Sequence, residues 1–137
     1  MVRAVVDSNI LVSSLLSPLG PSRRIWNAFL NGKFTLVLSS LQMTELTRAL
    51  LRPKIFRRVE RSRIEELLSF LELYAEFCEP VRIPSLCRDR HDDHLLAVAS
   101  QAKVQFLITG DADIKSVKTF SIPIVTPVQF LYKLNEP

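Results

Sequence analysis

Apolar residues first gather at Val2, Ala4, Val5 and Val6, a run broken only by Arg3. A short dense run of this kind, rich in valine, predicts a strand. It stops on Asp7-Ser8-Asn9, after which Ile10, Leu11, Val12, Leu15 and Leu16 recur at helical spacing. A strand, a tight turn and a helix therefore open the chain. Asp7 stands where the strand ends, the place at which open α/β sheets form their ligand crevice.

The pattern repeats downstream. A turn over 17–22 carries Pro18, Gly20 and Pro21, and a helix from Pro21 or Ser22 sets Ile25, Trp26, Phe29 and Leu30 on one face. Asn31-Gly32 closes it, and Trp26 is expected in the core. Phe34 to Leu38 is a second apolar strand. Ser39 and Gln42 fit a capping box opening a helix whose apolar face is Leu41 or Met43, Leu46 and Leu50. Leu51-Arg52-Pro53 ends that helix. Arg58 to Phe77 reads as one long amphipathic helix, and Glu79 to Pro84 as a proline-bracketed segment with a short edge strand. A charged loop, 88–94, runs into a buried helix through Leu95, Leu96, Ala97, Val98 and Ala99. Gln105 to Thr109 is another strand, closed by Gly110-Asp111-Ala112-Asp113. Pro123 to Val125 is a last strand, and Thr126-Pro127 starts a terminal helix through Val128, Phe130, Leu131 and Leu134. Apolar strands alternating with helices predict an α/β fold: a mostly parallel sheet of about five strands covered on both faces. One domain is expected over residues 1–137.

Composition narrows this little. The 137 residues are 47% hydrophobic, ordinary for a globular chain. No apolar run approaches the roughly 20 residues of a membrane span, and the start of the chain lacks the pattern of a signal peptide. Cys78 and Cys87 match no zinc spacing and fit a reducing cytoplasm. Charge adds more. The net charge is +4, and from Arg48 to Arg63 seven basic residues (Arg48, Arg52, Lys54, Arg57, Arg58, Arg61, Arg63) face one acid, Glu60. Such a strip is either a solvated surface or a set of phosphate contacts.

The candidate chemistry is carboxylate. Asp7, Glu45, Asp93 with its neighbour Asp92, and Asp111 or Asp113 all fall where a strand ends or a helix starts after a loop. In a right-handed α/β sheet those places share one rim. Carboxylates gathered there repel one another, and only Arg88 and Arg90 stand near in sequence to any of them. A hard divalent cation such as Mg²⁺ or Mn²⁺ resolves the repulsion. Such sites activate water for attack on a phosphodiester. His91 and His94 flank the acids, but no thiolate or third imidazole accompanies them to make a zinc site; phosphate contacts or surface positions are the other expectations. Walker-type phosphate loops and serine-nucleophile elbows are missing from the sequence.

The segments V-V-D-S-N-I-L-V-S at 5–13, S-S-L-Q-M-T-E-L at 39–46, C-R-D-R-H-D-D-H-L-L-A-V-A at 87–99 and T-G-D-A-D at 109–113 resemble the PIN-domain superfamily, close to its VapC-like toxins. The resemblance runs from Val2 to about Phe130, with the motifs in the family's order. It implies a Rossmann-like three-layer fold and a metal-dependent ribonuclease, the toxin of a toxin–antitoxin pair. Asp7, Glu45, Asp93 and Asp111 would be the Mg²⁺ or Mn²⁺ ligands, with Asp113 as an auxiliary acid. Asn9 and Thr109 would orient water or Asp7; on the nuclease reading, the basic strip read from charge, Arg48, Arg52, Lys54, Arg57 and Arg58, would hold RNA. A cognate antitoxin and a homodimer are the implied protein partners. Two departures stand out: Arg90 replaces a common proline, and Ile114-Lys115 follows the last acids where relatives carry two apolar residues. Asp93 is preferred to Asp92 because Leu96-Ala97 then stands at the family's offset. The other class of function is a non-catalytic RNA-binding or assembly module on the same fold. A phosphatase or phospho-receiver fits less well, since Asp7-Ser8-Asn9 lacks a second Asp two residues on.

Overall fold

The computed structural model describes residues 1–83, 85, 87, 89–115, 117 and 120–135, with the side chains of residues 112 and 113 outside that description. Five strands form one parallel sheet in the order β3-β2-β1-β4-β5: β1 (Arg3–Val6), β2 (Thr35–Leu38), β3 (Glu76–Phe77), β4 (Phe106–Ile108) and β5 (Ile124–Val125). Strand residues alternate between two cores, as a pleated sheet requires. Ala4, Val6, Leu36, Leu38 and Ile108 pack on one face, and Val5, Val37 and Leu107 on the other.

The first face is covered by α1 (Ser8–Leu16), α2 (Pro21–Leu30), α3 (Ser40–Leu50), α5 (Arg61–Tyr74) and α8 (Pro127–Lys133). Trp26 is buried there against Phe29 and Phe70, as its helical spacing predicts. The second face is covered by α6 (Arg90–Ala102) through Leu95, Leu96, Val98 and Ala99, with Ile114 of the short α7 (Ala112–Lys115) beside them. Helix, sheet and helix thus make the expected three-layer α/β architecture. Among the described residues no helix is long and apolar enough to cross a membrane.

Three expectations need correction. The long helix starts later and stops earlier, as α5, because Pro53 nucleates a separate turn, α4 (Pro53–Phe56), and Ala75 turns extended. The edge strand is Glu76–Phe77 rather than part of 79–84. Its backbone pairs with β2, Cys78 continues the ladder by donating to the Leu38 carbonyl at 2.9 Å, and Arg3 reaches across to the Glu76 carboxylate. Pro80 could donate no such bond. Finally, Val128 is exposed; of the two alternatives on α3, Met43 packs on the core and Leu41 is exposed.

Candidate functional site

β1 and β4 end side by side, Val6 opposite Ile108, and the Asp7 N–H donates to the Ile108 carbonyl at 2.9 Å. The strand order reverses at this seam, with β2 and β3 to one side and β5 to the other. Asp7 is only 3% exposed and caps α1. Its Oδ1 accepts from the Asn9 N–H at 3.1 Å, and its Oδ2 accepts from the Thr109 hydroxyl at 2.8 Å. An ionised carboxylate only accepts, so the Thr109 proton is committed to Asp7. The same Thr109 oxygen accepts from the Asp111 N–H at 3.0 Å. One fully buried hydroxyl therefore joins the acid after β1 to the turn carrying the acid after β4. Asp111 in turn accepts from the Ile114 N–H at 3.4 Å. A groove of about 360 Å³ opens here, lined by Asp7, Asn9, Ser13, Ser22, Gly110 and Asp111 among others. Asn9 thus meets Asp7 through its backbone, and its exposed side chain lies at the groove.

The first turn of α6 brings in a third element. Asp89 caps it by accepting from the His91 N–H at 2.8 Å. Asp92 and Asp93 are both buried, yet they meet different partners. Asp93 Oδ1 accepts from the Cys87 N–H at 2.8 Å, which fastens the loop leading into the helix. Asp92 feels the seam: burial, then the Asp111, Asp89 and Asp7 carboxylates, push its pKa up to about 6, against a smaller opposing effect of His91. The sequence expectation placed Asp93 among the metal ligands. In the structure Asp92 stands in the field of Asp7 and Asp111, and Asp93 holds the loop and acts on the same Cys87 thiol that Asp92 and Asp111 raise. Burial, reinforced by Asp93 and Asp92, also raises the Cys87 thiol to about 11, so Cys87 is no thiolate nucleophile at neutral pH.

The fourth element is α3. Ser39 caps it, its hydroxyl accepting from the Gln42 N–H at 3.1 Å, but the expected box is half made. The Gln42 amide instead donates to the Val6 carbonyl at 2.7 Å and to the Ser8 hydroxyl at 3.2 Å, tying the helix to the end of β1. Glu45, partly exposed, lies 2.6 Å from His91 Nδ1 through Oε2. His94 lies 2.6 Å from the Ser39 hydroxyl through Nε2, and burial lowers its pKa. His94 is therefore not a surface residue. His91 and His94, one turn apart, fasten α6 to α3 through Glu45 and Ser39. Sequence reasoning missed this role for both histidines, and Gln42 and Ser39 with them.

Among the described residues no three His, Cys, Asp or Glu side chains stand close enough together to hold a metal ion as placed. The donors still suit one. They are hard carboxylate oxygens, and a divalent cation at the rim would offset both the burial and the smaller carboxylate repulsion that raise Asp92. The Asp113 side chain lies outside the described residues. Arg48, in the last turn of α3, and Arg52, Lys54, Arg57 and Arg58 are all exposed, running outward from Glu45 along the same connection.

A model of the PIN domain matches residues 3–113, a span holding every acid named above. The chain belongs to the PIN domain family. Members are in general metal-dependent nucleases. This PIN domain is 24% identical to the uncharacterized protein MJ1680 of Methanocaldococcus jannaschii, over 98% of this chain and 93% of that one. Among solved structures it resembles PAE2754 from Pyrobaculum aerophilum, with a TM-score of 0.63 at 16% identity over 99% of this chain and 91% of the other. FitAcB from Neisseria gonorrhoeae aligns with a TM-score of 0.54 at 16% identity, over 91% and 98%. At these identities the two structures speak to the fold alone.

Proposed function

We propose that this PIN domain is a Mg²⁺- or Mn²⁺-dependent endoribonuclease acting in the cytoplasm, the toxin of a toxin–antitoxin pair. The observation that carries the proposal is the seam itself. Asp7 and Asp111 are joined through one buried Thr109 hydroxyl, and Asp92, raised chiefly by its burial, also feels both of their charges. Carboxylates sharing a dry rim are costly unless a cation neutralises them.

In this scheme Asp7, Asp92, Asp111 and Glu45 hold the cation. Asp93, preferred on family offset, serves by fixing the loop before α6. A bound divalent cation supplies Lewis acidity, easing deprotonation of an attacking water and stabilising charge on the phosphate. Thr109 keeps Asp7 oriented by holding one of its oxygens. The exposed Asn9 side chain at the groove positions water or substrate. Arg48, Arg52, Lys54, Arg57 and Arg58 neutralise RNA phosphates leading to the rim. A cognate antitoxin would silence the site by setting a basic side chain among the acids, and two copies of the chain would pair as a homodimer.

Asp7→Asn tests the scheme, since it removes charge and almost no volume. Cleavage of an unstructured RNA in Mn²⁺ should fall at least about a hundredfold, with the circular dichroism spectrum unchanged. EDTA should abolish wild-type cleavage. Cleavage that survives chelator or the substitution overturns the metal mechanism. RNA binding without any cleavage points to a non-catalytic module.

A further inference from the structure

His91 sets a basic group against the acids of the rim. Its Nδ1 lies 2.6 Å from Glu45 Oε2, and its influence on Asp92 opposes that of the surrounding carboxylates. It stands on the first turn of α6, next in sequence to Asp92. Glu45 comes from α3, a different element. His91 thus links Glu45 on α3 to the first turn of α6, which carries Asp92. Asp92 feels Asp7 and Asp111 directly, whereas Glu45 meets the imidazole.

We propose that His91 is a placeholder for the metal: its ring nitrogen pairs with Glu45, and a divalent cation that takes Glu45 as a ligand must displace it. The inference rests on the acids being the cation site, and it adds a competitor that the acids alone do not contain. Two physical effects act in the same direction. Removing the imidazole frees a carboxylate oxygen for the cation, and it deletes a donor dipole that offsets the negative field of the rim. His91 is therefore not an orienting partner of the kind that raises a ligand's affinity, for which deletion would weaken binding about 10–100-fold.

His94 keeps the geometry intact when His91 is changed. It is buried on the same helix and bonded to the Ser39 cap of α3, so the two helices stay fastened without the Glu45 contact. A change at position 91 can then be read as a change in competition and not as a loosened site.

Mn²⁺ binding to the full chain, followed by electron paramagnetic resonance of the free ion, tests the proposal without any RNA. His91→Ala should bind Mn²⁺ about 3–10-fold more tightly than wild type. His91→Lys, which sets a full cation against Glu45, should bind it more weakly than wild type. In a Glu45→Gln background both substitutions should lose most of their effect, because the carboxylate competed for is gone. Equal or weaker binding by His91→Ala overturns the placeholder role, as does an unchanged effect in the Glu45→Gln background. Asp7→Asn in the same assay reports on the site itself. If it binds Mn²⁺ as wild type does, the acids are not the metal site and both ideas fall. If it loses binding while His91→Ala behaves as wild type, only the placeholder falls.

Discussion

Asp92 shows how one side chain can carry the cost of a site. In the fold its pKa sits at about 6, against 3.8 ordinarily, because burial and neighbouring carboxylates disfavour its charge. A carboxyl raised in this way favours the folded state below its ordinary value, and that contribution is lost as pH rises through about 6. Asp92→Asn should therefore be more resistant to urea than wild type near pH 7.5 in EDTA, by roughly 1–2 kcal/mol. The gap should close near pH 4. Equal stability of the two proteins at the higher pH would show that Asp92 is not in that field. Asp7 and Thr109 were legible in the sequence because a strand end fixes where a residue lies. Asp92 and Asp93 were not separable in that way. Neighbours on a helix point roughly 100° apart, so the choice depends on how α6 is rolled against the sheet. Leu95, Leu96, Val98 and Ala99 decide that roll by packing in the core, a long-range matter that no local spacing reports.

At the scale of elements, α3 and the connection after it do two jobs. The buried end of α3 faces the rim through Gln42 and Glu45, and its far end leads through α4 into exposed Arg52, Lys54, Arg57 and Arg58. Arg61, by contrast, is engaged with Glu65 at 3.0 Å along its own helix. The exposed set should act on RNA as separate phosphate contacts. Replacing Arg52 and Lys54 together by Ala should flatten the plot of log affinity against log salt by about 1.4, or about 0.7 for each single-strand phosphate no longer neutralised. Fluorescence anisotropy of a labelled RNA in EDTA measures it, and an unchanged slope would remove the strip from the binding path. Elements with strong apolar runs, β1, β2, β4 and α6, were legible from pattern alone. The region from Leu51 to Pro84 was not. There a proline starts a helix instead of only ending one, and the edge strand forms because β2 and Arg3 supply partners from distant parts of the chain.

At the scale of the molecule, the sheet holds the acids after β1 and β4 and at the start of α6 within one another's field. Cation binding should therefore stabilise the whole fold and not just one loop. Mn²⁺ at about a hundred times its dissociation constant should add about 2.7 kcal/mol, a shift of several degrees in the thermal midpoint. Differential scanning calorimetry of wild type and Asp7→Asn checks this, since the substitution should erase most of the shift. The layer order was legible as well, because dense apolar strands alternating with helices leave few other ways to bury both faces. Which helix covers which face was not, as that follows from the strand order.

The pairing of β1 with β4 also sets a schedule. Asp7 is separated from its partner hydroxyl, on Thr109, by 102 positions of chain. A growing chain can pair β1 with β2 early, but Asp7 stays unbraced until β4 and Thr109 have followed. The rim therefore takes this shape only once both halves of the sheet, on either side of the β1–β4 seam, have met.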